Sequence, residues 1–482
     1  MKRRRAAVVV AMVGLASSVV APAATAQPGP AWGPCPADVK TEAVVLECAT
    51  IPVPLNYSDP GGEQIELVVS RLASKNPAKR RGVLMLNPGG PGGSGLAFPD
   101  FLASRGMPDS VLDSYDVIGM DTRGIGHSSP VSCGFTPDQA YLGNIPPYAV
   151  DEAEVAEQAE LAKGVAEQCA AHDGDGRLRH LSTANMARDL DSVRAALGEE
   201  RTSFLGYSYG SALGAAYASM FPERSDRVVV DSNLADTHLD RDALRRYALG
   251  FEETFPDFAT WVAARHDAYG LGRTPEEVRE TYFRTAERLD EAPVNGIDGR
   301  VFRLATFVGL YGETAYGRTA QTWQSLLAGE EAPQPAAAAD APPTDNPWSV
   351  FLGVTCNDVD WPSDVGTYQR AVAEDRERYP MYGAASANIS PCAFWGDPAE
   401  PPVVIDDQGP ANVLVLQNRR DPVTPHRNAE ILDEKFGDRS RLVSVEGSGH
   451  GVYLMGGNAC ALNTTTDFLV DGRLPEEDTA CR

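Results

Sequence analysis

Positive charge is in short supply in this chain: 42 Lys and Arg face 67 Asp and Glu, for a formal net charge of -25 at pH 7. So acidic a surface repels phosphate backbones and anionic lipid, which argues against nucleic acid and anionic membranes as partners. Histidine is scarce too, at seven residues, so few imidazoles are on offer for base or ligand chemistry. None of the eight cysteines stands at C-x-x-C spacing, which sets aside zinc and dithiol redox patterns. No internal repeat occurs. Beyond the N-terminal segment, no run is long and apolar enough to cross a bilayer, so stable membrane insertion is not expected.

What is present begins at the N-terminus. Lys2 to Arg5 are basic, Ala6 to Val20 are mostly apolar, and Ala24-Thr25-Ala26 offers a cleavage site before Gln27. Residues 1–26 therefore read as a secretory signal peptide, and the mature chain as secreted and extracellular. A membrane anchor is the competing reading, but the apolar run is short for a span. In an exported chain an even number of cysteines reads as disulfides. Connectivity does not follow from sequence alone. Nearness along the chain favours Cys35–Cys48, Cys133–Cys169, Cys356–Cys392 and Cys460–Cys481.

Short aliphatic runs recur at 65–69, 82–86, 116–120, 202–205, 227–230, 413–416 and 441–445. Most are continuous rather than alternating, as in strands buried on both faces of a parallel sheet. Helical patterns lie between them, for example over 186–197 with Gly198 as its stop. This order predicts an α/β fold. It breaks after Asp231. A long insertion, helical in its first part, occupies about 236–411, and two sheet strands follow in 412–482. Within the insertion, Glu330 to Pro347 is rich in Ala and Pro and reads as a loop or linker. The insertion is placed to cap the end of a core built from 27–235 and 412–482.

The most informative residue is Ser208, in Gly206-Tyr207-Ser208-Tyr209-Gly210. A strand pattern precedes this G-x-S-x-G motif and a run of small, helix-compatible residues follows, which is the setting of a nucleophile elbow. Serine needs a base, and the base an orienting acid. Asp421 follows the run 413–416 in a loop stiffened by Pro422 and Pro425. His450 follows the next run, among small residues. The order Ser208, Asp421, His450 is that of an α/β hydrolase. Asn87 to Gly95 is a glycine-rich loop after a strand, suited to close backbone approach, and Gly90 and Tyr209 are the expected oxyanion donors. Gly90, Gly92 and Gly95 also satisfy G-x-G-x-x-G. Pro99, read as interrupting the helix that should follow, argues against a dinucleotide site. No cofactor or metal is expected.

Taken with Gly89-Gly90-Pro91-Gly92, Asp121-Thr122-Arg123-Gly124-Ile125-Gly126, Asp421-Pro422-Val423-Thr424-Pro425 and Gly449-His450-Gly451, the chain resembles secreted bacterial tripeptidyl aminopeptidases and their proline iminopeptidase-like relatives among the α/β hydrolases. The resemblance spans most of the mature chain. It implies an α/β-hydrolase fold with a mostly parallel central sheet, a large, mainly helical cap, and peptide substrates with a free N-terminus. Such substrates call for carboxylates facing the ammonium; Glu252, Glu253 and Asp358 are candidates by location. Asp121 and Arg123 are expected to brace loops. Ser232 departs from the pattern, in a place where an Asp-Gly turn is expected. The leading reading is a serine exopeptidase releasing short peptides, with tripeptides implied by the resemblance. The alternatives are a carboxylesterase on the same triad and a noncatalytic secreted binding protein.

Overall fold

The computed structural model describes residues 29–136, 139, 143–330 and 345–482. The N-terminal segment read as a signal peptide and most of the Ala/Pro-rich stretch lie outside the described residues. The end of that stretch is not loop, since the helix Asp345–Asp358 already contains Asn346 and Pro347. Proline is tolerated there because the first turn of a helix needs no N–H donor at that position.

Among the described residues, ten strands form one sheet. In chain order they are β1 (Gly33–Pro34), β2 (Glu47–Pro54), β3 (Gln64–Leu72), β4 (Gly82–Asn87), β5 (Tyr115–Met120), β6 (Thr202–Tyr207), β7 (Ser225–Asp231), β8 (Val413–Arg420), β9 (Ser440–Ser448) and β10 (Thr479–Cys481). Their spatial order is β1-β2-β3-β5-β4-β6-β7-β8-β9-β10. Every pair from β5 to β10 is parallel, and β1, β2 and β3 add an antiparallel edge. The seven aliphatic runs all lie within strands. The runs did not reveal β2, which carries Pro52 and Pro54. It tolerates them because it lies near the sheet edge and Pro52 is exposed.

The continuous apolar runs have a simple cause. Leu86, Leu205, Val229 and Leu414 are aligned across four neighbouring strands and feed one core. Their alternates Met85, Phe204, Val228 and Val413 point the other way into a second core. Both faces of each strand are thus covered, and no polar alternation is left to see. Ser182 caps the helix Thr183–Ala196 through the Asn185 N–H, so that helix starts before Met186. Pro99 sits in the first turn of a short helix, Phe98–Ser104, and so does not prevent it.

The chain between β7 and β8 is largely helical. Its longest helix, Arg241–Ala263, buries Phe251, Phe255 and Phe258 in an aromatic cluster with Tyr282, Phe302, Phe307, Trp323 and Tyr382. Trp323 spends its only donor on Thr306 Oγ1 at 3.0 Å, so the cluster buries no orphaned N–H at that ring. The same helix touches the loop that follows β8. A Cβ added at Gly250 would lie 2.5 Å from the Pro422 carbonyl oxygen and 2.6 Å from that of Asp421.

Disulfides join Cys35 to Cys48, Cys133 to Cys169, Cys356 to Cys392 and Cys460 to Cys481. The third ties the helix Asp345–Asp358 to the turn at Pro391–Phe394, and the last ties the C-terminal strand to the helix Ala459–Asp471. Thiol titration of the denatured, unreduced protein should find no free cysteine. Replacing Cys133 and Cys169 together by Ala should cost about 2–4 kcal/mol of stability, read from denaturant unfolding.

Candidate active site

Ser208 follows the last residue of β6 and precedes the first residue of the helix Tyr209–Met220. Its backbone has φ 57 and ψ -122, a conformation that costs energy in a residue with a side chain. Neighbouring glycines make this turn possible. A Cβ at Gly206 would lie 2.3 Å from the Gly210 carbonyl oxygen, and one at Gly210 would lie 2.8 Å from that of Asn87. Strand, turn and helix can close this tightly only without those side chains. Ser208 is left half-buried while its neighbours are buried, and its N–H is held by the Asp231 carbonyl at 2.9 Å.

Asp421 and His450 meet. Asp421 follows β8, His450 follows β9, and His450 Nδ1 lies 2.9 and 3.1 Å from the two carboxylate oxygens. Asp421 is fully buried. It accepts N–H groups of Val423 and Thr424 at 2.9 Å each and the Thr424 hydroxyl at 2.8 Å. Thr424 Oγ1 also lies 3.4 Å from His450 Nδ1. In the sequence the one signal for this role of Thr424 is a hydroxyl three residues after a loop Asp, a common local hydrogen-bond pattern. Burial by itself would lower the His450 pKa, but the Asp421 charge and hydrogen bond, with Asp231 behind them, leave it above its ordinary value of 6.5.

The glycine-rich loop lies against the elbow. A Cβ at Gly89 would come within 2.9 Å of Ser208 Cβ and 3.3 Å of the Tyr209 nitrogen. Gly89 and Gly90 have φ of 99 and 118, where only glycine is at ease. As the first residue of its helix, Tyr209 has an N–H with no intrahelical acceptor. Asp121 braces this loop by accepting the Ser94 hydroxyl at 2.6 Å and the Gly95 N–H at 3.0 Å. Arg123 is buried and forks onto Asp189 with two contacts of 2.7 Å. No group of His, Cys, Asp and Glu among the described residues is arranged to hold a metal ion.

The three acids considered for an ammonium are not gathered together. Asp358 is buried, and its oxygens accept the Thr183 N–H at 2.7 Å and the Thr183 hydroxyl at 2.6 Å. The start of the helix Thr183–Ala196 supplies these donors, so the carboxylate faces into the fold. Thr183 Oγ1 lies 2.7 Å from the Tyr209 hydroxyl, so Asp358 is linked through Thr183 to the helix that follows the elbow. Glu252 accepts the Met381 N–H at 3.0 Å and pairs with Arg279 at 3.2 Å. Glu253, one residue on, is exposed.

Two further contacts escaped sequence reading. The Tyr311 carbonyl accepts the His450 N–H at 2.8 Å, and the Tyr311 ring, 39% exposed, stands edge-on to the imidazole at 5.3 Å. Asp231 and Ser232 hold the residues just after His450.

The alpha/beta hydrolase fold family matches residues 82–456. This chain belongs to the α/β hydrolases. The hydrolase is 34% identical to "Tripeptidyl aminopeptidase" of Streptomyces lividans, over 96% of this chain and 88% of that protein. It is 28% identical to "Serine protease Hip1" of Mycobacterium tuberculosis, over 93% of this chain and 90% of that one. It is equally 28% identical to "Carboxylesterase B" of the same organism, over 94% and 90%. The hydrolase thus falls with the tripeptidyl aminopeptidases and is a serine hydrolase of the peptidase type.

General-base chemistry by His450 needs the neutral imidazole, so a raised pKa places the acid limb of kcat/KM above pH 6.5. In Asp421→Asn the limb should move down and the rate should fall, as read from pH profiles of both proteins.

Proposed function

We propose that this hydrolase is a secreted exopeptidase that releases short peptides, tripeptides foremost, from free N-termini. The observations that carry the reading are the elbow serine with the glycine-rich loop set against it, and the hydrogen-bonded pair His450 and Asp421 at the ends of β9 and β8 in the same sheet. Ser208 Oγ attacks the scissile carbonyl while His450 takes its proton. Negative charge builds on the carbonyl oxygen, where the N–H groups of Gly90 and Tyr209 receive it. Collapse breaks the C–N bond, and His450 returns the proton to the departing amine. The N-terminal fragment remains as an ester on Ser208. Water, with its proton taken by His450, then attacks that ester and frees both fragment and serine. Asp421 holds the imidazole and stabilises its cation throughout.

Residues 236–411 serve as the cap. Gly250 against the Asp421 loop and Tyr311 against His450 support this, because both bring the insertion onto the reacting end of the sheet. A cap closes one end of a peptide cleft, which suits removal of short pieces. Of the two acids that follow Gly250, Glu252 is engaged by Met381 and Arg279, so the exposed Glu253 is the carboxylate we assign to the substrate ammonium. Export is supported by the signal-like residues 1–26 and by four disulfides. The relative named carboxylesterase makes ester hydrolysis the reading to test against.

Ser208→Ala should fold and lose nearly all turnover. A free tripeptide substrate and its N-acetylated twin with the same leaving group separate the two activities. Acetylation should cut kcat/KM at least about a hundredfold, because removing the ammonium misplaces the scissile bond in the transition state. Equal efficiency for the pair would replace the exopeptidase reading with the esterase.

A further inference from the structure

Two residues at the end of β7 hold both the serine and the histidine. Asp231 ends the strand that lies between β6, which leads to Ser208, and β8, which leads to Asp421. Its backbone carbonyl accepts the Ser208 N–H at 2.9 Å. Its carboxylate accepts the Val452 N–H at 3.0 and 3.1 Å and the Tyr453 N–H at 2.8 Å. Ser232 completes the set: its hydroxyl donates to Asp231 at 3.0 Å and accepts the Gly451 N–H at 2.8 Å. The three amides that follow His450 are therefore all bound by this pair of side chains.

The Ser232 backbone makes the arrangement unusual. Its φ is 58, the left-handed region, and it is fully buried. Glycine occupies such a conformation without strain and serine does not. The resemblance to the tripeptidyl aminopeptidases leads one to expect an Asp-Gly turn here. The hydroxyl accounts for the departure, since glycine has no group to accept the Gly451 N–H or to donate to Asp231.

We propose that Asp231 and Ser232 are positioning residues, a buried bracket that sets the separation of Ser208 from His450 and fixes the base for proton transfer. The pair acts through backbone at one end and side chains at the other, and touches no substrate. The proposal rests on Ser208 as nucleophile and His450 as base, and holds for a peptide or an ester substrate alike.

The bracket needs Asp231 ionised. All its partners are donors, three contacts from two N–H groups and one O–H, so a proton on the carboxyl would have no acceptor among them. Burial pushes this carboxyl up to about 7, against the pull of its hydrogen bonds and of His450. Tyr207, from β6, and Tyr453, beyond His450, stand near it, while His450 itself is faced by Asp421, Thr424, Tyr311 and Asp231. Losing the Ser232 donor raises the Asp231 pKa further, and the bracket then loosens at a higher pH.

The test is Ser232→Gly in the full mature protein, with two readouts: the rate at which a serine-directed phosphonate labels residue 208, and the pH profile of turnover. The variant should still fold cooperatively, because relieved backbone strain offsets part of the cost of the two lost hydrogen bonds. It should nonetheless label about tenfold more slowly and lose kcat by a similar factor with KM within about twofold. Its acid limb should move up by about one pH unit. Wild-type labelling, kcat and acid limb in Ser232→Gly would overturn the bracket. Asp231→Asn turns an amide NH2 toward those donors and should label more slowly still; if it does not fold, Ser232→Gly decides alone. Labelling does not depend on substrate class, so the exopeptidase reading can fail while the bracket stands. A wild-type protein that does not label at Ser208 would overturn the nucleophile assignment and the bracket together.

Discussion

At the end of β6 three stretches of backbone come closer than side chains would permit. Gly206 faces the Gly210 carbonyl, Gly210 faces the backbone of Asn87, and Gly89 faces Tyr207 and Ser208. At each of these positions a Cβ would sit under 3 Å from another atom. The rest of the site follows from this approach. It turns Ser208 out of the sheet, exposes the Tyr209 N–H at a helix start, and brings the glycine-rich loop alongside. The strain in the Ser208 backbone is sustained by the parallel strands on either side, whose paired apolar residues hold β6 in register between β4 and β7.

Around that contact, buried carboxylates do the orienting. Asp121 ties down the glycine-rich loop, Asp189 neutralises the buried Arg123, Asp421 turns the imidazole, Asp231 collects the amides beyond it, and Asp358 reaches the elbow through Thr183. A buried charge is costly unless it is paired or hydrogen-bonded, and each of these has donors waiting. Several of the donors are backbone N–H groups, whose positions are set by the fold and need no rearrangement during reaction. Such a site is preorganised. It also titrates: burial raises Asp231 to about 7, and the neighbouring carboxylates raise His450 above its ordinary value against the effect of burial.

The helical insertion enters this network at few places. Tyr311 gives His450 a carbonyl and an aromatic neighbour, and Gly250 lets a long helix rest on the Asp421 loop. It has its own core of stacked and edge-on aromatic rings. Residues of the insertion therefore shape the surroundings of the imidazole.

Much of this was legible in the chain itself. The elbow, the strand runs and the helix after them are written in neighbouring residues, because backbone conformation and strand burial leave local marks: glycines where Cβ atoms collide, unbroken aliphatic runs where both faces are covered. The order of Ser208, Asp421 and His450 along the chain was visible for the same reason, each standing just after a strand. The roles of Asp358 and Ser232 were not. An acid in a helical insertion has the same letters whether it faces a cleft or caps Thr183, and a serine in place of a glycine gives no hint that its hydroxyl reaches Gly451. Local sequence determined which elements form and which residues stand at their ends. Only the tertiary structure decided which polar groups from distant segments meet, because those contacts depend on how the sheet brings its strand ends together and on which groups burial leaves in need of a partner.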